Sequence, residues 1–170
     1  TPFGERSGAG KIFGATGGVM EAAVRTAYNM LTGDELEELD VQDVRGFEGR
    51  KEVKVKIGEL EVGAAVCSGL ANARDLLEEI KAGREDIHFI EVMTCPGGCI
   101  AGGGQPIGAD PEAIRARMQA LYGIDRQEHL RTSHSNQSVQ RLYDEFLGEP
   151  LGHKSHELLH THYEERETVN

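Results

Sequence analysis

The sequence predicts an α/β fold built on a partial mixed sheet, with a strand-helix-strand crossover, flanking helices and a C-terminal helical belt, as a fragment of a larger domain. Three observations carry this expectation. Residues 52–66, EVKVKIGELEVGAAV, alternate apolar and polar side chains on both sides of Ile57-Gly58-Glu59, the pattern of a hairpin whose turn is supplied by glycine. Leu70, Ala73, Leu77 and Ile80 then recur at helical spacing, and Gly83 offers a stop. Residues 88–93, HFIEVM, form a short, mostly apolar run of strand length. Strand, helix and strand in that order make a crossover whose two strands run parallel.

The other elements follow from the same periodicities. The opening TPFGERSGAG is loop-like and starts at Thr1 rather than Met, which reads as a piece processed or cut from a longer polypeptide. Met20, Val24, Ala27 and Leu31 mark a helix that Thr16 or a neighbouring glycine caps and Gly33 terminates. The acidic run at 34–40, DELEELD, reads as a solvated face or loop. Pro111 opens a further helix through Ile114, Met118 and Leu121, since its missing N–H is an orphan in the first turn anyway. A boundary is expected near Asp125, dividing 1–124 from 125–170. The second part is polar and histidine-rich, with one short helix marked by Val139, Leu142, Tyr143 and Phe146. Its low apolar content suits a belt lying on another surface.

A chain of 170 residues buries enough surface to fold without disulfides or metals, so a metal here calls for a functional explanation. The 18 Lys+Arg against 29 Asp+Glu give a formal net charge of -11, which makes nucleic acid and anionic membrane poor partners. No run approaches the roughly 20 apolar residues of a membrane span, and no secretory signal opens the chain, so a soluble, cytoplasmic protein is expected. Three cysteines cannot all pair, which favours a reducing compartment.

Chemistry concentrates at residues 94–106, TCPGGCIAGGGQP, where open α/β sheets place ligands, at the carboxyl end of a strand. Cys95 and Cys99 flank Pro96-Gly97-Gly98. Such a thiolate pair can ligate an iron-sulfur cluster, bind zinc, form a redox disulfide or do none of these. Glycines let the backbone approach a bulky group and aim N–H donors at it, which suits the sulfides of a cluster. Compact zinc sites more often use a second cysteine pair, and this chain has none. Cys67, at the end of the preceding strand, reads as a small buried hydrophobe.

Residues 91–106, EVMTCPGGCIAGGGQP, resemble the third cysteine motif of the iron-only (FeFe) hydrogenases. Upstream SGAGKIFGATGGVMEAAVRTAY and downstream RTSHSNQSVQRLYDEFLGEPLGHKSHELLHTHY, the latter resembling the family's small-subunit segment, extend the resemblance over nearly the whole chain. The resemblance implies that Cys95 is a terminal ligand of a 4Fe-4S cubane and that Cys99 bridges the cubane to a diiron subcluster, the two together forming the H-cluster. It implies that Met93, Phe13 and Gly14 line the cavity around the diiron unit. It also implies reversible interconversion of dihydrogen with protons and electrons, and an electron carrier that is a ferredoxin or an NAD(P)-linked subunit. A hetero-oligomer is compatible with it, as is a periplasmic location, which some family members have.

Two of the family's three cysteine motifs, of the types T-S-C-C-P-G-W and M-P-C-T-x-K, are absent from the sequence. The chain is therefore expected to need an N-terminal remainder and to be inactive alone. Three rival readings stay open, one of them a subunit that only docks and never binds a cluster. Hydrogenase-like iron-sulfur assembly or scaffold proteins share much of the cysteine loop without turning over hydrogen. His156-Glu157-Leu158-Leu159-His160 matches the H-E-x-x-H pattern of zinc peptidases, although few residues follow to supply a third ligand and His162 lies too near for the glycine-turn form. The remaining His129, His134 and His153 read as surface or hydrogen-bonding residues.

Overall fold

The computed structural model describes residues 4–108 and 110–164. Helix α1 spans Gly8–Ile12 and α2 Gly18–Thr32. Strands β1 (Arg50–Ile57) and β2 (Leu60–Ser68) precede α3 (Leu70–Lys81) and β3 (Phe89–Met93). Helices α4 (Pro111–Gln127), α5 (Gln137–Leu142, continued by a π-turn at Tyr143–Leu147) and α6 (His153–Leu159) follow. Residues 6–133 form one compact unit; residue 4, residue 5 and residues 134–164 belong to a second. Helix α4 runs through the expected 124/125 boundary to Gln127. Among the described residues no helix is long and apolar enough to cross a membrane.

The three strands lie in the order β1-β2-β3. β1 and β2 pair antiparallel from Arg50 opposite Cys67 to Ile57 opposite Leu60, so Gly58 and Glu59 make the two-residue turn, with Gly58 at φ +61. β2 and β3 pair parallel from Ala64 opposite Phe89 to Ser68 opposite Met93, which is the expected crossover. The alternation anticipated through the hairpin ends inside β2, because residues 63–68 are buried on both faces. They form the central strand of a mixed sheet and have no wet side. Burial raises the Cys67 thiol above its ordinary range, as suits an inert small hydrophobe.

Apolar clusters form on both sides of the sheet. Met20 and Val24 of α2 pack with Val44, Ala64 and Val66, and on the opposite face Ala73 and Leu76 of α3 pack with Ala65 and Cys67. The stripe of α3 that faces the sheet is thus buried Ala73 and Leu76 with half-buried Ile80; Leu70 and Leu77 are exposed. A third cluster joins Ile12, Ala15 and Ile100 to Met118 and Tyr122 of α4. Phe89 and Val92 on β3 and Leu31 on α2 remain exposed.

A charged network ties α2 to α4. Arg25 is completely buried and donates to both carboxylate oxygens of Asp125 (2.9 and 2.8 Å), to the carbonyls of Leu39 and Arg131 (both 2.8 Å) and to Glu21. Arg45 donates to Glu21 at 2.7 Å and to Asp40 at 3.1 Å, and Arg131 donates to Asp125 at 2.6 Å. Asp40, expected in a solvated run, is a member of this network. Burial pushes the carboxyls of Asp125 and Asp40 up, but the hydrogen bonds from Arg25, Arg45 and Arg131 outweigh it and hold both below the ordinary carboxylate range.

Two outcomes follow from this network. Asp125→Asn leaves buried guanidinium charge uncompensated and is expected to cost about 3–5 kcal/mol of stability, read from denaturant unfolding. Because the folded pKa values lie below the unfolded ones, the carboxylates' contribution is fully present above the unfolded value of roughly 4 and is lost as pH falls through the folded values. An acid titration followed by circular dichroism should show that loss below about pH 4 in the parent, and a smaller loss in Asp125→Asn.

Candidate functional site: the cysteine loop and its facing wall

β3 ends at Met93, and the chain turns through Cys95-Pro96-Gly97-Gly98 into a short 3₁₀ segment at Cys99–Ala101. The Gly98 N–H donates to the Cys95 carbonyl at 2.9 Å, closing the turn. Ser68, at the end of β2, braces it from beneath: its Oγ accepts the Gly97 N–H at 3.1 Å and donates to the Cys95 carbonyl at 3.4 Å. Arg117 of α4 donates to the Ile100 carbonyl at 2.8 Å, fixing the far side. Cys95 is half-buried, Cys99 is exposed, and both are free thiols.

The facing wall is the loop between α1 and α2, residues 13–17. It runs alongside the cysteine loop through two backbone hydrogen bonds, Thr16 N–H to the Gly97 carbonyl (3.1 Å) and Ile100 N–H to the Gly14 carbonyl (3.1 Å). That approach requires glycine. Gly98 sits at φ +103 and ψ -167, a region essentially closed to other residues, and a Cβ there would lie 2.5 Å from the Gly14 carbonyl oxygen and 2.7 Å from the Thr16 nitrogen. Gly102 leaves space beside the nearer thiol, since a Cβ on it would stand 3.0 Å from the Cys95 Sγ.

A third contact locks the wall to the strand. The first turn of α2 begins at Gly17, which has no side chain to cap the orphan N–H groups. Buried Glu91 of β3 accepts from Gly17 N–H at 2.6 Å and from Met20 N–H at 2.7 Å, capping the helix from another segment. Lys51 is buried nearby and donates to the Gly46 carbonyl at 3.0 Å. Desolvation lowers its pKa, opposed by the charges of Glu91 and Glu48.

The residues expected to matter are therefore gathered in one region. Cys95 and Cys99 lie on the turn, Met93 on the strand leading into it, and Phe13 and Gly14 on the loop hydrogen-bonded alongside. Sequence reading overlooked Glu91 and Ser68. Glu91 carried one signal, a charged residue inside an otherwise apolar strand; Ser68 carried none. Two soft thiolate donors on a glycine-rich turn with room at Gly102 fit an iron-sulfur group, and they supply only part of the ligand set of a cubane. Among the described residues the histidines of the H-E-x-x-H string gather no third metal ligand. α6 stops at Leu159 and His160 is already extended, although the His156 and His160 rings lie 4.3 Å apart by centroid. Among the described residues the one group of three or more metal-type ligands drawn together is Glu21, Asp40 and Asp125, which the arginine network already neutralises.

Residues 1–103 match the family described as iron only hydrogenase large subunit, C-terminal domain, and residues 111–166 match iron hydrogenase small subunit. The NADP-reducing hydrogenase subunit HndD of Solidesulfovibrio fructosivorans is 53% identical over 99% of this chain and 29% of its own length. A solved variant of the FeFe-hydrogenase HydA1 from Chlamydomonas reinhardtii superposes with a TM-score of 0.70 at 42% identity, covering 89% of this chain and 45% of that one. Cytosolic iron-sulfur assembly component 3 of Rattus norvegicus is 33% identical over 92% of this chain and 33% of its own length. The chain spans about a third of the curated relatives it matches and under half of that solved chain.

Gly98→Ala tests the contact between the two walls. It is expected to cost at least about 2 kcal/mol in denaturant unfolding, from left-handed strain and the clash with Gly14 together. Alkylation of Cys95 should accelerate in the same variant, as the turn opens.

Proposed function

The chain belongs to the iron-only hydrogenase family, and on that footing we propose that the polypeptide carrying it interconverts dihydrogen with protons and electrons at a site to which this chain contributes two cysteine ligands. The observation that carries the proposal is the pairing of the turn bearing both free thiols, Cys95 and Cys99, with the 13–17 loop through two backbone hydrogen bonds. Cys95 would hold a 4Fe-4S cubane as one of its ligands, and Cys99 would hold the cubane together with a diiron subcluster. When bound, the metal group supplies the hydrogen chemistry and the electron relay.

The chain's own residues hold and shield that group. Met93 and Phe13 present apolar surface that excludes water, and Gly14 keeps the wall close without a side chain of its own. Gly97 and Gly98 spend their N–H groups inside the turn, on the Ser68 Oγ and the Cys95 carbonyl, and so hold the shape that presents the two thiols. The remaining cubane ligands and the proton path belong to an N-terminal remainder, for which the exposed Phe89 and Val92 of β3 provide an unfinished apolar edge. The electron carrier is a ferredoxin or an NAD(P)-linked subunit, in the cytoplasm.

A second reading is kept because an iron-sulfur assembly component is also a relative: the same loop could hold a cluster for delivery, without hydrogen turnover. An anaerobic count of iron, sulfide and zinc on the full polypeptide, followed by a hydrogen-uptake assay, separates the readings. Iron with sulfide is expected in the parent, with iron lowered and uptake reduced at least about 100-fold in Cys95→Ser and Cys99→Ser. Iron without uptake would favour assembly. Zinc without iron, retained in both serine variants, would contradict both.

A further inference from the structure

We propose that Glu91 is a positioning residue for the cluster site, its buried carboxylate setting the distance between the strand that delivers Cys95 and the loop that forms the opposite wall. The inference rests on the hydrogenase reading of the same site. Glu91 lies on β3, two residues before Met93 and four before Cys95, and it is 6% exposed. An ionised carboxylate at that depth is costly unless its oxygens are bonded, and here one oxygen takes the Gly17 N–H and the other the Met20 N–H. These are two of the orphan donors of α2, at the positive end of the helix dipole, so charge and geometry reinforce each other.

The tether closes a ring of constraints. From Glu91 the covalent chain runs through Met93 to Cys95 and Gly97; Gly97 and Ile100 bond to Thr16 and Gly14; residues 14–17 lead into α2; and α2 returns to Glu91. Each wall of the site is thereby placed relative to the other twice, once through the turn and once through Glu91. Lys51 carries an opposite charge within electrostatic reach, but it donates to the Gly46 carbonyl, and the hydrogen bonds to Glu91 come from the backbone N–H groups of Gly17 and Met20. Loss of one oxygen acceptor should let residues 13–17 drift from the cysteine turn while the strand and helix survive.

The experiment uses the full polypeptide loaded anaerobically with its cluster, compared with Glu91→Gln. The amide matches the carboxylate in shape but can accept only one of the two N–H groups, since its own NH₂ faces the other. Four quantities are read: iron and sulfide content, the infrared bands of the diiron ligands, the cubane midpoint potential, and amide hydrogen exchange at Gly17 and Met20. Iron and sulfide are expected at parental levels, with shifted bands and a more positive potential because a buried negative charge is gone. Exchange at one or both amides should accelerate roughly tenfold or more.

Parental bands and potential alongside faster exchange would reduce Glu91 to a purely structural cap and overturn the proposal. Glu91→Asp keeps the charge and both acceptors on a stem one methylene shorter, and is expected to shift the bands with iron retained. Unshifted bands in that variant overturn the proposal even where Glu91→Gln does not fold. A parent without iron and sulfide would overturn the hydrogenase reading itself and the role of Glu91 with it, whereas the former outcomes leave that reading standing.

Discussion

Two stretches of backbone, residues 14–16 and 97–100, pass each other at hydrogen-bonding distance, and Gly98 is the residue that permits it. Side chains normally keep such segments apart. Here a left-handed glycine removes the obstacle, and the polar backbone groups of one loop satisfy those of the other. The position of both cysteine thiols follows from that contact, because the turn carrying them has its carbonyl at Gly97 and its N–H at Ile100 committed to the opposite loop. Ser68 and Arg117 then remove the freedom that remains at either end.

A loop pair of this kind holds its shape only when the elements behind it are rigid. The third apolar cluster supplies part of that support, since Ala15 of one loop and Ile100 of the other both pack on Met118 and Tyr122. Arg45 stacks 4.3 Å over the Tyr122 ring and joins that cluster to the arginine–carboxylate network. Burial pushes the Tyr122 hydroxyl up to about 12, so it stays neutral beside the buried charges at physiological pH. The network fixes α2 against α4 by direction as well as by contact, because paired guanidinium and carboxylate groups have a preferred geometry that apolar side chains lack. α2 in turn starts where the facing wall ends.

Local pattern made much of this legible. The hairpin turn at Gly58, α2 between Gly17 and Gly33, the proline start of α4 and the parallel crossover all follow from short-range periodicity and capping residues. The cysteine turn was legible because cysteines and glycines at that spacing are chemically distinctive. Three features were hidden for a common reason. Glu91 reaches Gly17 across 74 positions, Arg25 reaches Asp125 across 100, and Gly63 lies under the Asp86 carbonyl, so each depends on a partner that no local window contains. In α3 the stripe was displaced by one position, with Leu76 buried in place of Leu77, because helical spacing fixes the period of an apolar face more firmly than its centre. The H-E-x-x-H string shows the opposite failure: a literal motif match whose second histidine lies beyond the helix that the motif requires.

On the proposed function, the two thiols and the facing loop together enclose one iron-sulfur group. Anomalous diffraction at the iron edge, from crystals of the full polypeptide grown without oxygen, tests it directly. Iron peaks are expected within bonding distance of the Sγ atoms of both Cys95 and Cys99, on the side of the turn that faces Phe13 and Gly14. Iron located away from this turn, or a zinc-edge signal at the two sulfurs in place of iron, would contradict it.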